Sequence, residues 1–378
     1  MANRAQFAFS RRAFLAASGI GAAALATGAA SRSSTRRKLS SSVNIQQGMI
    51  DVHHHPTIQS FRELYNGVAA TAMASWSVQK SLEDMDQAGV ATSLLSLPPP
   101  VQFWTNPKDR VLAQVREWNE FMTSLSRDYQ NRFGVLAVLP VPYPDASLRE
   151  IAHAFDTLKV IGVGITTNIG NRWLGDPLYI PMLDELNRRK AIVFVHPVAA
   201  SCCQGLLSHI TDATIEFPVD TTRAIARLLF SGTATRFPHI KFIFCHAGGT
   251  MPFTVERFLL VPKFNPEVAA MLPNGVLPQL QRFYYDVALS ANPYAMSSVK
   301  QLVPTSQLLF GTDFPFGTAA DTAKGLADCG LFNDNELAAI ARGNMQRILP
   351  VTWGLSSTSR VRRPEPDVRD RAFHGPFA

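Results

Sequence analysis

Short apolar runs recur along most of the chain and alternate with longer stretches in which apolar residues return every three or four positions. The short runs are rich in Val, Ile, Leu and Phe, which is typical of parallel strands that are buried on both faces. The longer stretches predict amphipathic helices. The predicted strands are Met49–Val52, Thr92–Leu97, Val135–Leu139, Gly162–Thr166, Ile192–Val195, Phe242–Cys245, Phe283–Val287 and Leu308–Gly311.

The order of these elements predicts the fold class. Eight strand–helix repeats in about 300 residues predict an α/β fold, a (β/α)8 TIM barrel over residues 49–350. A doubly wound open sheet is the alternative, but it favours a glycine-rich loop after the first strand, and this chain has His53–Pro56 there. The predicted helices include Ser77–Ala88, Arg110–Tyr129, Ala146–Leu158, Tyr179–Arg189 and Thr221–Phe230.

The two ends of the chain differ from the predicted barrel. Arg11 and Arg12 precede an uncharged stretch, Ala13–Ala30, that consists mostly of Ala, Gly, Ser and Thr. This pattern predicts a twin-arginine export signal over residues 1–30 and a periplasmic or secreted protein, whereas without a working signal the protein would be cytoplasmic. The stretch is too weakly hydrophobic to be a stable membrane anchor. Residues 31–48 predict a polar linker, and residues 351–378 predict a C-terminal tail.

The formal net charge of +7 comes from the N-terminal segment. Residues 1–38 hold seven basic residues and no acidic residue, whereas the rest of the chain holds 29 basic and 29 acidic residues. The predicted barrel is therefore neutral, and we expect neither nucleic acid nor an anionic membrane surface as its partner.

The four cysteines do not have the spacing of a zinc ribbon. Cys202 and Cys203 are adjacent, Cys245 lies in a predicted strand and Cys329 lies far along the chain. We expect all four to be buried or free thiols.

Five side chains with metal-binding or proton-transfer chemistry follow predicted strands. His53 and His55 follow the first strand, His196 the fifth, His246 the sixth and Asp313 the eighth. In a (β/α)8 barrel the carboxyl ends of the strands meet at the face that carries the active site. His53 and His55 point the same way because strand side chains alternate, and with His196 and Asp313 they could bind one ion. Such a donor set suits Zn²⁺, with Mn²⁺ as an alternative.

Several segments resemble the motifs of the amidohydrolase superfamily. More narrowly, they resemble the branch of aminocarboxymuconate-semialdehyde decarboxylase and the metal-dependent aromatic-acid decarboxylases. Within that branch, Glu216–Arg223 and the following Phe237 and Pro238 resemble 6-methylsalicylate decarboxylase-like members. The resemblance covers residues 49–350. The superfamily motifs are Met49–His55, Val195–Pro197, Cys245–Gly249 and Gly311–Pro315.

The resemblance implies a single divalent metal ion. Superfamily members with two ions usually bridge them through a Lys or a Glu at the end of the fourth strand, and Gly164–Asn168 contains neither. In resorcylate-type decarboxylases the first ligand is a carboxylate, so a histidine at that position leaves zinc or manganese open. The implied ligands are His53, His55, His196 and Asp313.

The resemblance also implies a metal-dependent, non-oxidative decarboxylase, a carboxy-lyase of a small aromatic or conjugated carboxylic acid. His246 and Asp313 are then the catalytic residues, since either could transfer a proton while the metal activates the substrate or a water molecule. One alternative is a metal-dependent hydrolase of a small cyclic or ester substrate, a lactonase or amidohydrolase with the same ligands. The other is a metal-binding barrel without catalysis.

The substrate pocket is expected in the loops that follow the strands. Flat aromatic side chains suit a planar acid, and Arg can bind a carboxylate through two hydrogen bonds. An arginine can come from a neighbouring subunit in related decarboxylases, so the resemblance also implies a homodimer. Asp286, at the end of the seventh strand, could orient a ligand or have a structural role. The candidate substrate-binding residues are Arg62, Trp104, Phe217, Arg223 and Phe316.

Overall fold

The computed structural model describes residues 48–65, 67–350 and Trp353. The predicted export signal lies outside the described residues, as do nearly all of the predicted linker and of the C-terminal tail. Eight parallel strands, numbered here in chain order, form one sheet. They are β1 (Met49–His54), β2 (Val90–Leu95), β3 (Phe133–Val138), β4 (Gly162–Thr166), β5 (Ile192–His196), β6 (Lys241–Phe244), β7 (Tyr284–Asp286) and β8 (Leu308–Leu309).

The sheet closes on itself through hydrogen bonds between β1 and the segment that continues β8. The backbone N–H of Val52 donates to the carbonyl of Phe310 at 3.0 Å, and the N–H of Asp313 donates to the carbonyl of His53 at 2.8 Å. The sheet is therefore a barrel rather than an open layer. The predicted (β/α)8 TIM barrel is confirmed, and the doubly wound alternative is wrong.

The predicted strands are confirmed in number and order, and their ends are displaced by at most two residues. The displacement affects the site, because β1 continues through His54 and β5 ends on His196. His53 and His196 thus lie within strands rather than after them. The pattern of apolar residues does not predict the antiparallel hairpin of Asn168–Ile169 and Arg172–Trp173 that follows β4.

The predicted helices are present, and the bounds of two of them differ from the prediction by more than two residues. The helix predicted from Thr221 begins at Glu216, because Pro218 lies in its first turn, where a missing N–H breaks no helical hydrogen bond. The helix predicted over 146–158 divides into Pro144–Ala152 and a π-helical turn, His153–Leu158. The other described α-helices are Gln59–Arg62, Gly67–Ala74, Val78–Ala88, Lys108–Asp128, Ile180–Arg188, Thr233–Arg236, Met251–Phe264, Pro266–Met271, Val276–Leu280, Pro293–Leu302, Ala319–Asp328, Asp334–Ala338 and Asn344–Ile348.

Both faces of the strands are buried. One apolar cluster contains Ile50 and Val52 of β1 together with Phe194 of β5, and a larger cluster contains Met49 and most of the buried helix residues. This two-sided burial explains the continuous apolar runs in the sequence. At the carboxyl ends of the strands, buried polar residues replace the apolar ones.

The expectation of four free thiols is wrong for the adjacent pair. Cys202 and Cys203 form a disulfide within the 3-10 turn Ser201–Cys203, in the loop after β5. Adjacent cysteines pair only when the local backbone brings their sulfur atoms together, which the sequence spacing does not reveal. Cys245 and Cys329 are free, and Cys245 is buried.

Candidate metal centre

Four side chains converge at the carboxyl ends of the strands. His53 and His55 come from β1 and the residue after it, His196 ends β5, and Asp313 lies just beyond β8. Each offers one ligand atom, and these atoms all lie within 4.8 Å of one another. All four residues are buried, so that a bound ion would be largely shielded from bulk water.

A β-bulge in β1 turns both histidines into the barrel. Asp51 pairs with Ser93 of β2, and the register resumes only at His54 opposite Leu95, so β1 contains one extra residue at this point. His54 then points outward, where its Nε2 lies 2.8 Å from the hydroxyl of Ser81. A bulge commonly redirects a side chain beside an active site. The prediction that His53 and His55 share one side of β1 is confirmed.

Hydrogen bonds at Nδ1 fix the tautomers of the three histidines. Each Nδ1 has a carboxylate or backbone carbonyl oxygen as a partner, and because such an oxygen can only accept, each Nδ1 carries the proton. In the neutral ring, each Nε2 then keeps a lone pair for a metal ion. The bonds are His53 Nδ1 to Asp286 Oδ2 at 2.9 Å, His55 Nδ1 to the carbonyl of Ser96 at 2.9 Å, and His196 Nδ1 to the carbonyl of Pro197 at 2.8 Å.

The atoms at the centre of the cluster fit a cation. Asp313 Oδ1 lies 3.2 Å from Nε2 of His53 and 3.0 Å from Nε2 of His55, and the two nitrogens are 3.0 Å apart. Asp313 Oδ1 is buried without a hydrogen-bond partner among the described residues. A hydrogen bond between the two nitrogens would need one doubly protonated ring, because both Nδ1 atoms already carry hydrogen. Acceptor atoms crowded in this way are stabilised by a divalent ion.

Opposite charges face each other across the cluster. Burial raises the pKa of Asp313, but His53 and His246 outweigh that effect and hold this pKa well below its usual range. Burial lowers the pKa of His53, but the carboxylates of Asp313 and Asp286 beside it act in the opposite direction, and this pKa is raised overall. Asp313 is therefore ionised at neutral pH, the state in which a carboxylate binds a metal ion.

The other two histidines are neutral. Burial lowers the pKa of His55 and lowers that of His196 still further, since the imidazoles of His55 and His53 add to the effect on His196. A neutral imidazole binds a divalent ion without first releasing a proton. These residues fit a divalent metal ion in geometry, and binding it would require His53 to release the extra proton that its raised pKa favours.

A second cluster lies on the outer side of His53. Cys245 and Asp286 each bring a ligand atom close to a ring nitrogen of His53, which for Asp286 is Nδ1. That nitrogen already donates to Asp286, and burial raises the pKa of the Cys245 thiol, which stays protonated. Metal ions bind the thiolate rather than the thiol. This cluster orients His53, and the geometry supports a site for one ion.

His246 lies beside the cluster. Its Nε2 is 3.2 Å from Asp313 Oδ2, the carboxylate oxygen that does not face His53 and His55. Its backbone N–H donates to Asp286 Oδ1 at 2.9 Å. His246 and Asp313 have positive φ angles of 55° and 62°, a conformation that L-residues tend to adopt at functional sites. The two residues predicted to transfer a proton are in direct contact.

Close packing around these two residues requires glycine. A Cβ on Gly311 would lie 3.0 Å from Cβ of Asp286 and 3.1 Å from Cβ of His53. A Cβ on Gly249 would lie 2.1 Å from the carbonyl oxygen of Pro218. The missing side chains let the segments before Asp313 and after His246 approach their neighbours closely.

Two of the predicted substrate-binding residues border the metal centre. The ring of Phe217 lies 6.1 Å from the ring of His196, and the ring of Phe316 lies 6.5 Å from that of His55. Both pairs are edge-to-face, and Phe316 is 41% exposed. The site therefore has two aromatic walls, one of which is open to solvent.

The structure places the other three predicted substrate-binding residues in contact with other groups. Arg62 donates from Nη2 to the carbonyl of Trp76 at 3.2 Å, and Nη1 of Arg223 lies 3.5 Å from Asp220 Oδ1. Trp104 lies in a 3-10 turn after β2. The Nε of Arg62 and the Nε1 of Trp104 are buried and lack a partner among the described residues. Their roles in substrate binding stay predictions.

Two residues that support the metal centre are not among the site residues predicted from the sequence. Asp51 and Thr312 bond to each other and to the backbone around the cluster. A carboxylate inside the apolar run of β1 is the signal that could have identified Asp51, since a buried acid needs partners. Thr312 gives no such signal. Asp286, whose role the sequence leaves open, orients both His53 and His246.

Several known proteins are similar to this chain in sequence or in fold. Decarboxylase yanB of Aspergillus niger is 30% identical over 292 residues, which span 73% of this chain and 79% of that protein. The 6-methylsalicylic acid decarboxylase of Penicillium expansum is 28% identical over 273 residues, 70% of this chain and 84% of that protein. A solved dihydroxybenzoic acid decarboxylase from Polaromonas, with bound manganese and 2-nitroresorcinol, matches with a TM-score of 0.68 at 18% identity. The match covers 80% of this chain and 96% of that one.

The family model described as Amidohydrolase matches residues 50–351, nearly the whole predicted barrel. The superfamily resemblance of the motifs is thereby confirmed, and the relatives belong to its decarboxylase branch. The chain belongs to the amidohydrolase family.

Proposed function

We propose that the protein is a metal-dependent, non-oxidative decarboxylase of a small aromatic carboxylic acid. The observation that carries the proposal is the contact of His246 with Asp313 at 3.2 Å, beside a four-residue metal site. The decarboxylases that match the chain along most of its length support the same reaction.

The donor set limits the choice of ion. Three imidazole nitrogens and one carboxylate oxygen suit Zn²⁺, and Mn²⁺ is the alternative, since the Polaromonas neighbour holds manganese. We propose Zn²⁺ as the resident ion, bound by His53, His55, His196 and Asp313. When bound, the ion supplies Lewis-acid chemistry, which polarises an oxygen of the substrate beside the carboxyl group.

The residues of the chain itself must hold the acid and deliver a proton. In decarboxylation a carbon–carbon bond breaks, CO₂ leaves, and a proton takes its place on the same carbon. His246 and Asp313 share a hydrogen bond, so a proton held between Nε2 and Oδ2 can pass to a carbon placed beside them. Phe217 and Phe316 would hold a planar ring between them.

The test is the product balance of the metal-loaded full chain. A panel of hydroxybenzoic and muconate-type acids is incubated beside lactones and esters, and released CO₂ is compared with released acid. One CO₂ for each substrate molecule consumed is the expected result. Acid release from the lactones or esters without CO₂ would instead place the protein among the hydrolases, which use the same ligands.

Export and assembly are further parts of the proposal. None of the helices in the described part of the chain is long and apolar enough to cross a membrane. We propose that residues 1–30 direct export by the twin-arginine route, which their composition supports, and that the protein is a homodimer. Cell fractionation tests the export, and light scattering tests the homodimer.

Arg62 and Arg223 are the proposed carboxylate-binding residues.

A further inference from the structure

One buried carboxylate near the metal centre takes no part in the proposed chemistry. Asp51 is 1% exposed, and its carboxylate contacts His54, whose side chain lies on the opposite side of β1 from His53 and His55. Five donors from three strands or their extensions converge on it. Oδ1 accepts from the N–H groups of His53 and Thr312, both at 3.0 Å, and Oδ2 accepts from the Thr312 hydroxyl at 2.8 Å, His54 Nδ1 at 3.1 Å and the Ser93 hydroxyl at 3.3 Å.

The first of these bonds supports the bulge in β1. A bulge interrupts the ladder between two strands and leaves a backbone group to be satisfied in another way. The N–H of His53 lies in this bulge and donates to Oδ1 of Asp51, two residues earlier in the same strand. Asp51 therefore stabilises the backbone shape that turns His53 toward the metal.

The bonds to Thr312 support the other side of the site. Asp313 has a φ of 62°, a conformation that L-residues rarely adopt, so the backbone on both sides of it must hold the turn in place. Thr312 gives both its N–H and its hydroxyl to Asp51. The same hydroxyl accepts from the N–H of Phe314 at 3.1 Å, so the residues on both sides of Asp313 are tied to one carboxylate.

His54 holds the Asp51 carboxylate in place through a hydrogen bond. Its Nδ1 donates to Oδ2 of Asp51, and its Nε2 can then accept from the hydroxyl of Ser81 at 2.8 Å. Ser81 in turn accepts from Nε1 of Trp76 at 2.9 Å. The His54 ring also stacks on Phe314, with centroids 4.7 Å apart and planes 12° apart. The network therefore extends to the side chains of Ser81, in the helix Val78–Ala88, and of Trp76, which precedes that helix.

We propose that Asp51 is a positioning residue for the metal centre. It holds the bulge at His53 and the turn at Asp313 in one fixed arrangement, and this arrangement sets the affinity of the site for its ion. The role rests on the metal site proposed above and not on the reaction catalysed there. Groups that orient metal ligands through hydrogen bonds commonly set the affinity for the ion, and their loss typically weakens metal binding about 10- to 100-fold.

The test measures metal binding by the full chain, with Zn²⁺ and Mn²⁺ each competed against a chromophoric chelator. Asp51→Asn preserves the size of the side chain but replaces one oxygen with an NH₂ group that cannot accept. We expect the affinity to fall about 10- to 100-fold. Glu150→Gln is the matched control, because Glu150 is another buried carboxylate, held by Arg116 and Asn119. It should lower the melting temperature and leave the metal affinity unchanged.

A second pair of variants serves if Asp51→Asn does not fold. Thr312→Val removes the hydroxyl and keeps the shape, whereas Thr312→Ser keeps the hydroxyl. The valine variant should bind metal about 10-fold more weakly than wild type, and the serine variant should retain wild-type affinity. Equal affinity in wild type, Asp51→Asn and Thr312→Val would overturn the role of Asp51 alone. A wild-type chain that binds neither ion would overturn the metal site itself.

Discussion

The Asp286 carboxylate lies 2.9 Å from Nδ1 of His53, and this contact decides which nitrogen of His53 faces the metal centre. Because the carboxylate only accepts, Nδ1 keeps its hydrogen and Nε2 keeps its lone pair. The other oxygen of Asp286 accepts the N–H of His246. One carboxylate therefore orients both a metal ligand and the histidine proposed to transfer the proton.

Replacing Asp286 with Asn should weaken metal binding about 10- to 100-fold. An amide offers one oxygen, so either Nδ1 of His53 or the N–H of His246 would face an NH₂ group. A His53 that changes tautomer in response presents N–H to the ion. Metal affinity by chelator competition checks this prediction. Asp184→Asn, on the exposed face of the helix Ile180–Arg188, is the control, and equal affinities in the two variants would contradict it.

His246→Ala should abolish turnover and leave the metal content near one ion per chain. Loss of a positioned proton donor typically costs about 10²- to 10⁴-fold in rate. The four ligand atoms do not include His246, so the ion should stay bound. Metal analysis and turnover are measured on the same sample, beside the exposed His239→Ala. Loss of the ion from the His246 variant would show that this histidine is a ligand.

The aromatic side chains of Phe217 and Phe316 should strengthen substrate binding. Phe217→Ala and Phe316→Ala each remove one ring contact, which is worth about 0.5 to 1.5 kcal/mol or about two- to tenfold in affinity. We expect KM to rise by that factor while kcat changes less. Phe264→Ala, 80% exposed at the end of its helix, is the control. Unchanged KM values in both wall variants would exclude these residues from the pocket.

The fold and the metal ligands are the parts that the sequence predicts best. Parallel strands buried on both faces produce apolar runs such as Ile192–Val195, and in a barrel the residues that follow those runs meet at one face. His196 and Asp313 could therefore be placed together although they are far apart in the sequence. The structure confirms that placement.

Features that depend on contacts formed only in the folded chain could not be predicted from the sequence. The pairing of Asp51 with Thr312 exists only after β1 and β8 meet, and neither residue has a distinctive spacing. The disulfide of Cys202 with Cys203 depends on a single turn of the backbone. Arg223 lies near Glu216 and Asp220 of its own helix, but the bond from Trp173 of the hairpin after β4 to Asp220 depends on tertiary structure.

Glu185 should stabilise the folded protein at neutral pH and lose this effect at low pH. Hydrogen bonds from Arg188, and then from Arg189, lower the pKa of Glu185 from its ordinary 4.5 to about 2. The folded pKa is depressed, so this contribution is present above about pH 4.5 and is lost as the pH falls toward 2. Glu185→Gln should lower the free energy of unfolding at neutral pH by about 1 kcal/mol. Urea unfolding at several pH values checks this, and a deficit that is as large at about pH 3 as at neutral pH would contradict it.

The most direct measurement of the proposed reaction is the product formed by the metal-loaded protein in D₂O. A hydroxybenzoic acid from the panel that the metal-loaded protein consumes is used, and the product is examined by NMR. We expect one deuterium per product molecule, on the carbon that carried the carboxyl group, because the proton that replaces CO₂ exchanges with solvent through His246 or Asp313. A product that keeps its carboxyl group, with no deuterium on the ring, would contradict decarboxylation.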